Sequence, residues 1–217
     1  MEKIKILNLY ACLGGNRYKW DEVADIEVTA VELDPELARL YQERFPNDIV
    51  IVADAHQYLL NHYKEYDFIW SSPPCPTHSR INISQYTRDS WVAKYPEMTL
   101  YQEIIFLNSY YKGKYCVENV IPFYEPLIVA HKRNRHLYWT NFNLPNVLSD
   151  RISPDFTRIK DEYKVLSDFH DIRGIPVNTG GYRNVLRNLV DYEAGKTILE
   201  TALGVIRKEN VEQLQMF

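Results

Sequence analysis

Four short apolar runs rich in β-branched residues lie in the first third of the chain, at residues 4–10, 27–33, 49–54 and 67–73. Runs of this length and composition predict buried strands. Helical signals separate them, because residues 35–45 begin with a proline at the first helical position and residues 55–63 follow the third run. Strand and helix in alternation predict βαβ units, which form a parallel sheet buried on both faces.

Further elements are predicted in the later chain, namely a helix at 97–111, strands at 114–120 and 135–142, and a helix at 191–206. The polar stretch before residue 97 is long enough to be a lid or binding loop. Residues 143–181, rich in Pro, Asn, Asp and Gly, are interpreted as a loop or a small insert. The chain has 217 residues, 46% of them apolar. We therefore expect one α/β domain with a Rossmann-like, mostly parallel sheet and helices on both faces.

Ligands of such sheets bind beyond the carboxyl ends of the strands. The first five predicted strands end in YACLGG, VELD, VAD, SSPPC and EN. Glycines, acidic residues, a thiol and a carboxylate–amide pair are therefore expected to meet at one edge of the sheet. This edge is the predicted functional site.

The first three strand ends suggest a cofactor. Gly14 and Gly15 let the backbone turn sharply and approach a ligand closely. Glu32 suits ribose hydroxyls, because a carboxylate accepts both hydrogen bonds, and Asp54 suits an adenine amino group. The sequence has neither G-x-G-x-x-G nor a Walker lysine, so no diphosphate is expected. An adenosine ligand without a diphosphate indicates S-adenosylmethionine.

Charge and cysteine content narrow the function classes. The net charge is −4, but basic residues outnumber acidic ones between residues 76 and 135, where a polyanion could bind locally. The three cysteines lie far apart, which predicts neither disulfides nor a metal site. No apolar run reaches the roughly 20 residues that cross a bilayer, and no signal-peptide pattern opens the chain. We expect a cytoplasmic protein without membrane or metal.

A thiol beside such a cofactor pocket suggests covalent chemistry. Cys75 could attack C6 of a pyrimidine and make C5 nucleophilic enough to take a methyl group. Glu118 could relieve the resulting charge by protonating N3, provided that burial raises its pKa. Arg133 and Arg135 could hold the ring O2. The double proline before Cys75 fixes the backbone there.

In chain order, these segments resemble the motifs of the DNA (cytosine-5) methyltransferase family. LYACLGG resembles the first motif, L-F-A-G-x-G-G, and VELDP and VAD resemble the next two. PPC resembles the motif that carries the nucleophile, ENV the sixth, and KRNR the eighth. RNLVDYEAG resembles the last motif, G-N-x-V-P-P-x-L-A, which closes over the cofactor. The matches extend over roughly residues 6–200.

The resemblance implies a role for each matching position. Cys75 would be the nucleophile, Glu118 the N3 partner, Asn119 a positioner of the loop and Arg135 a contact to a cytosine flipped out of double-stranded DNA. Ser79 and Arg80 would close on the nucleic acid. The cofactor would be surrounded by Tyr10, Gly14, Gly15, Glu32, Leu33, Asp54, Pro74, Asn188 and Val190.

The sequence also departs from the family pattern. Cys12 and Arg187 stand where glycine is usual, and Pro76 replaces a glutamine. The short interval between the eighth and last motifs predicts a reduced recognition region, and with it a short recognition sequence, loose specificity or a helper protein for sequence recognition. The resulting organisation is a catalytic core at 1–142, a reduced recognition insert at 143–181 and a C-terminal segment at 182–217 that returns to the core. So compact an enzyme would suit a phage or a restriction-modification system.

Three alternatives remain open. An amino-group methyltransferase would need D-P-P-Y or N-P-P-Y, where Ser72 and Cys75 stand. The tRNA-methylating branch of the family has a C-F-T segment that this sequence lacks. A catalytically inactive, DNA-binding relative would account for the altered glycines and the trimmed recognition region. His78, His131 and His136 are interpreted as polar surface or loop residues.

Overall fold

A computed structural model describes residues 3–80, 91–152, 154, 162–173 and 182–205. Its seven strands are β1 (Ile4–Leu9), β2 (Ile26–Glu32), β3 (Ile49–Val52), β4 (Phe68–Ser71), β5 (Lys114–Val120), β6 (His131–Arg133) and β7 (His136–Thr140). Its helices are α1 (Pro35–Arg44), α2 (Ala55–His62), α3 (Thr99–Tyr110), α4 (Glu162–Phe169), α5 (Tyr182–Asn188) and α6 (Tyr192–Leu203). Two short 3-10 turns lie at Trp20–Glu22 and Tyr63–Glu65.

The strands form one sheet in the order β3-β2-β1-β4-β5-β7-β6. The first five strands pair in parallel, and β7 pairs antiparallel with both β5 and β6. The predicted Rossmann-like, mostly parallel sheet is confirmed. Because β1 to β5 are parallel, their carboxyl ends meet at one edge, and β1 lies at its centre, between β2 and β4.

Helices cover both faces of the sheet. Ile6 in β1 packs on the side of α6, whereas its neighbour Leu7 packs on the side of α2 and α3. This alternation follows from the two-residue period of a strand. Each large aliphatic side chain buried in this way contributes about 1.5–3 kcal/mol. α1 begins as predicted, with Pro35 in its first turn and the Asp34 carboxylate accepting hydrogen bonds from the next backbone amides.

α6 packs against the residues that follow β1. The indole Nε1 of Trp20 donates to the carbonyl oxygen of Gly195 at 3.1 Å. A Cβ atom added to Gly195 would lie 2.2 Å from the Asn16 carbonyl oxygen, so only glycine permits this approach of α6 to the loop after β1. The packing of α6 on the loop after β1 therefore depends on contacts between residues far apart in sequence.

Two elements differ from the sequence prediction. Residues 143–181 are not loop throughout, because α4 lies within them, and β6 forms a hairpin with β7. α4 is a short helix stabilised by packing, with Leu166 buried against Leu13 and Leu186. No helix forms within residues 121–130, all of which are described. Residues 81–90 of the predicted lid lie outside the described residues.

Within the described ranges, no helix is both long and apolar enough to cross a bilayer. The same residues contain no group of three or more His, Cys, Asp or Glu side chains that could hold a metal ion.

Candidate active site

The loop after β1 has an unusual backbone. Tyr10, Cys12 and Gly14 have φ values of 56°, 49° and 66°, so left-handed residues alternate with ordinary ones. The Cys12 amide donates to Glu32 Oε2 at 2.8 Å, and the Asp34 amide donates to Glu32 Oε1 at 3.0 Å. The Glu32 carboxylate at the end of β2 is thereby fixed against the loop.

The neighbouring strand ends present ligand-binding groups to solvent. Leu33 is 66% exposed although it directly follows a buried strand. Asp54, which follows β3, is exposed and caps α2 by accepting from the Gln57 amide at 2.8 Å. Two carboxylates and an exposed leucine at adjacent strand ends fit the hydroxyl, amino and apolar groups of an adenosine. The same carboxylates would repel a phosphate. This donor set therefore fits S-adenosylmethionine.

The C-terminal segment meets this loop at Gly15. A Cβ atom at Gly15 would lie 2.7 Å from the Val190 carbonyl oxygen. Val190 is buried, whereas Asn188 is exposed at the end of α5. The structure thus brings Val190 to the glycine loop and leaves Asn188 at the surface.

The loop that carries Cys75 is held by hydrogen bonds on both sides. Asn119 Nδ2 in β5 donates to the Pro73 carbonyl oxygen at 2.9 Å, and Trp70 Nε1 donates to Ser72 Oγ at 2.8 Å. After Cys75, the amides of His78 and Ser79 both donate to the Cys75 carbonyl oxygen at 3.0 Å. Pro74 is exposed beside it. The Cys75 backbone is therefore fixed from both directions.

Glu118 and Cys75 interact electrostatically at the ends of adjacent strands. Burial raises the pKa of Glu118 to about 7, and a hydrogen bond with Ser72 partly opposes that rise. Burial, followed by the charge of Glu118, raises the pKa of the Cys75 thiol to about 11. A carboxyl group that is partly protonated near neutral pH thus lies beside a thiol that is mostly protonated.

The β6–β7 hairpin brings His136 and Arg135 to the same corner. His136 Nε2 lies 3.7 Å from Glu118 Oε1. Burial, and then the positive charge of Arg135, lowers the pKa of His136 to about 4, so the imidazole is neutral at physiological pH. The contact with Glu118 is therefore not an ion pair at neutral pH.

Arg133 makes contacts of a different kind. Its guanidinium donates to three backbone carbonyl oxygens, those of Pro145 at 2.6 Å, Lys132 at 2.9 Å and Leu144 at 3.1 Å. These bonds connect the hairpin to the segment that follows β7. Arg135 is exposed, and its backbone carbonyl accepts from the Ile121 amide at 3.3 Å.

The residues after Cys75 pair with the segment that follows β5. Ser79 forms an antiparallel bridge with Pro122, and Arg80 Nε donates to the Pro122 carbonyl oxygen at 3.3 Å. His78 lies in a loop, within the expectation of a surface or loop residue, but it is buried, since it is 1% exposed and its Nδ1 lies 2.6 Å from the Tyr124 hydroxyl. Packing against the aromatic side chains of α3 and the 121–124 segment buries it.

Cys12 and Arg187 stand where the family usually has glycine, and both side chains have defined contacts in the structure. Cys12 adopts the left-handed conformation that glycine favours, and its side chain packs against the cluster around Leu13 and Leu40. Arg187 forms an ion pair with the buried carboxylate of Glu162 in α4. The arginine side chain is therefore committed to the contact between α4 and α5.

Two polar residues of this edge were not found from the sequence. Ser72 hydrogen-bonds Glu118, and Glu103 in α3 is fully buried behind the strand ends. The only sequence signal for Glu103 was a carboxylate at a position of α3 whose neighbours at helical spacing, Leu100 and Leu107, are apolar.

Comparison with known proteins places this geometry in a family. The family model for C-5 cytosine-specific DNA methylase matches residues 4–126, more than half of the chain. A comparison with curated proteins found no match.

One solved methyltransferase structure is similar in fold over nearly the whole chain, and two others match part of it. The Entamoeba histolytica methyltransferase EhMeth is 10% identical, with 96% of this chain and all of that chain covered and a TM-score of 0.53. A DNMT2 mutant from Spodoptera frugiperda is 24% identical over 54% of this chain, with a TM-score of 0.38. The alignment covers only 36% of the insect chain. An Agrobacterium tumefaciens SAM-dependent methyltransferase is 16% identical over 57% of this chain and 40% of that chain, with a TM-score of 0.38. The chain therefore belongs to the C-5 cytosine-specific DNA methylase family, and its methyl donor is S-adenosylmethionine.

Proposed function

We propose that this chain is a DNA (cytosine-5) methyltransferase that works through a covalent bond between Cys75 and C6 of a flipped cytosine. The observation that carries the proposal is the pairing of Cys75 with Glu118. Glu118 lies near the end of β5, Cys75 lies in the loop just beyond the end of the adjacent parallel strand β4, Ser72 hydrogen-bonds the carboxyl, and burial raises both pKa values. A thiol nucleophile with a proton donor beside it is what addition to a pyrimidine requires.

The chemistry follows from these two groups. The Cys75 thiol loses its proton to solvent, its sulfur bonds to C6, and the electron pair of the C5–C6 double bond moves through C4 to N3. Glu118 in its acid form gives its proton to N3 and so neutralises the charge that the addition creates. C5 is then nucleophilic, and S-adenosylmethionine would supply the methyl group that it takes, leaving as S-adenosylhomocysteine. Solvent takes the C5 proton, the C5–C6 double bond re-forms as the C6–sulfur bond breaks to release the Cys75 thiolate, and the N3 proton returns to Glu118.

The cofactor would be bound along the ends of β1 to β4. Glu32 would accept from the ribose hydroxyls, Asp54 from the adenine amino group, and Leu33 would pack on the adenine ring. The other residues proposed to surround the donor are Tyr10, Gly14, Gly15, Pro74, Asn188 and Val190. Gly15 supports this arrangement, because its close approach to Val190 brings the C-terminal segment to the cofactor loop.

The nucleic-acid contacts are proposed from position. Arg135 lies next to His136, which contacts Glu118, so its guanidinium is near the corner that a flipped base would enter. Arg133 donates to backbone carbonyls and is better suited to holding the hairpin. Ser79 and Arg80 flank the Cys75 turn and would contact the strand around the target base.

Target recognition would fall to residues 143–181, between the core at 1–142 and the C-terminal segment. The described part of this region holds one short helix, α4. A region of this size favours a short target sequence or a helper protein. The matching family model favours DNA as the substrate, and the missing C-F-T segment argues against tRNA.

Covalent trapping tests the proposal. The protein is incubated with S-adenosylmethionine and a DNA duplex containing 5-fluorocytosine, whose fluorine blocks the final loss at C5. We expect a denaturation-resistant adduct with the wild type and with Cys116→Ala, and none with Cys75→Ser. Cys75→Ser should keep its cofactor affinity within a few-fold. A 5-fluorocytosine tRNA transcript serves as the second substrate.

The outcomes separate the alternatives. An adduct with tRNA alone would replace DNA by tRNA as the substrate. No adduct with either nucleic acid, from a folded protein that binds S-adenosylmethionine, would indicate an inactive relative. An adduct that persists in Cys75→Ser would overturn the assigned nucleophile.

A further inference from the structure

Glu103 is a carboxylate with no solvent exposure, located in α3 behind the carboxyl edge of the sheet. Burying a carboxylate is costly unless hydrogen bonds replace its lost water. Glu103 accepts such bonds from three different elements. The resulting cluster is distinct from the pair of Cys75 and Glu118.

The three partners are Tyr10 just after β1, Ser71 at the end of β4 and His56 in α2. The Tyr10 hydroxyl donates to Glu103 Oε1 at 2.6 Å, and the Ser71 hydroxyl donates to Oε2 at 2.5 Å. His56 Nδ1 lies 3.1 Å from Oε1. Both carboxylate oxygens are thus in use, and one side chain connects the ends of two adjacent strands.

The backbone of Tyr10 has an unfavourable conformation, so Tyr10 depends on its hydrogen bond to Glu103. Its φ of 56° is in the left-handed region, which is unfavourable for a bulky side chain. Such a conformation persists only when the surroundings hold it. Burial, and then the charge of Glu103, raises the pKa of Tyr10, so its hydroxyl stays a donor throughout the physiological range. The hydrogen bond to Glu103 fixes the ring end of a residue whose backbone turns into the cofactor loop.

Ser71 holds the Glu103 carboxylate in place through its second oxygen. It is the last residue of β4, fully buried, and paired in register with Leu9, the residue before Tyr10. With Ser71 and the α3 backbone both in the core, the carboxylate is held in place independently of the loop. The sheet therefore fixes the position of Glu103, and Glu103 in turn positions Tyr10.

We propose that Glu103 is a positioning residue for the methyl donor: by joining the Tyr10 hydroxyl to the Ser71 hydroxyl at the end of β4, it holds the cofactor loop in its binding conformation. The inference rests on the proposed function only in one respect, namely that the bound donor is used to methylate cytosine. Glu103 acts through Tyr10 and does not itself touch the reacting atoms.

Donor affinity, measured on the protein without nucleic acid, tests this role. We expect Glu103→Gln and Tyr10→Phe each to raise the Kd for S-adenosylmethionine by about ten-fold, the scale of one hydrogen bond to a charged group. The double variant should be no weaker than the weaker single variant, because both changes break the same bond. Titration calorimetry gives the three values.

The controls separate positioning from general loss of structure. Glu200→Gln removes another buried carboxylate, in α6, and should leave the Kd unchanged. Tyr58→Phe removes a hydroxyl that hydrogen-bonds the Tyr66 hydroxyl at 3.1 Å, away from Glu103, and should do the same. At saturating S-adenosylmethionine, kcat of Glu103→Gln should stay within a few-fold of the wild type while KM for the donor rises.

Several results would overturn the inference. One is a folded Glu103→Gln protein with wild-type donor affinity, and another is losses that multiply in the double variant. If Glu103→Gln does not fold, Tyr10→Phe and Ser71→Ala keep the carboxylate and carry the test, and wild-type affinity in Tyr10→Phe would refute it. A wild type that binds S-adenosylmethionine but forms no nucleic-acid adduct refutes the proposed function alone.

Discussion

Asn119 Nδ2 donates a hydrogen bond to the carbonyl oxygen of Pro73 at 2.9 Å, and through it β5 holds the loop that carries Cys75. The Asn119 carbonyl oxygen Oδ1 in turn accepts from the Val120 amide, which fixes the side-chain orientation. Glu118 is the preceding residue of β5, so one dipeptide supplies both the carboxyl group beside the thiol and the support for its loop. The rigidity of the double proline transmits that support to Cys75.

Asn119→Ala should therefore slow trapping of 5-fluorocytosine DNA by about ten-fold or more and lower stability by roughly 1–3 kcal/mol, since a buried carbonyl loses its donor. Asn141→Ala is the matched control. That amide bonds the Gly113 carbonyl at 2.8 Å and the Tyr115 amide at 3.2 Å, at the opposite end of β5. It should destabilise the protein without a specific loss in trapping rate, as measured by quenched-flow gels and thermal unfolding. Equal trapping by both variants would show that the loop does not need Asn119.

The pKa values of Glu118, about 7, and of Cys75, about 11, predict the pH dependence of kcat/KM. The reactive form has an acidic Glu118 and a thiolate. Below about pH 7, nearly all of Glu118 is in the acid form. The fraction of Cys75 present as thiolate grows about ten-fold per pH unit there, so kcat/KM rises with pH. Above about pH 7, the acid fraction of Glu118 falls as fast as the thiolate fraction of Cys75 grows, so kcat/KM becomes independent of pH.

Glu118→Gln removes the titrating acid and should change this profile. Turnover at neutral pH should fall by on the order of 10², as loss of a positioned acid does. Its rate should continue to rise with pH where the wild type is level. A Gln variant with the same plateau would show that the plateau comes from another group.

The same pair predicts the reactivity of the free thiol. Burial is the main cause of the raised Cys75 pKa, and the Glu118 charge adds to it. Glu118→Gln should thus move the midpoint of Cys75 alkylation by iodoacetamide to lower pH without restoring the ordinary value. Peptide mass spectrometry distinguishes Cys75 from the other two cysteines. An unchanged midpoint would mean that the two groups do not interact.

Gly15→Ala should separate the C-terminal segment from the cofactor loop. The new methyl group would lie 2.7 Å from the Val190 carbonyl oxygen, and overpacking of this kind costs about 1–3 kcal/mol. We expect a lower melting temperature together with weaker S-adenosylmethionine binding. Gly204→Ala, where nothing lies within 4 Å of the added atom, carries only the strain of its φ of 68° and should keep the donor affinity. Unaltered binding in Gly15→Ala would contradict the proposed role of Val190.

Local pattern was sufficient for the alternating strands and helices. Pro35 begins α1 as predicted, and the buried runs became the parallel strands. α4 was missed because its stability comes from Leu166 packing on residues distant in sequence, in a segment with weak periodicity. The burial of His78 within its loop was not foreseen for the same reason, since it depends on Tyr124.

Which groups stand at the strand ends follows from the order of residues alone, since parallel strands place a carboxylate, a thiol and an Asn at a common edge whatever the details of packing. How those groups affect one another follows only from the folded arrangement. The raised pKa of Glu118, the commitment of Arg133 to backbone carbonyls and the burial of Glu103 all arise from contacts between segments remote in the chain. Desolvation and hydrogen bonding depend on what surrounds a residue in space, and no local pattern of residues encodes that.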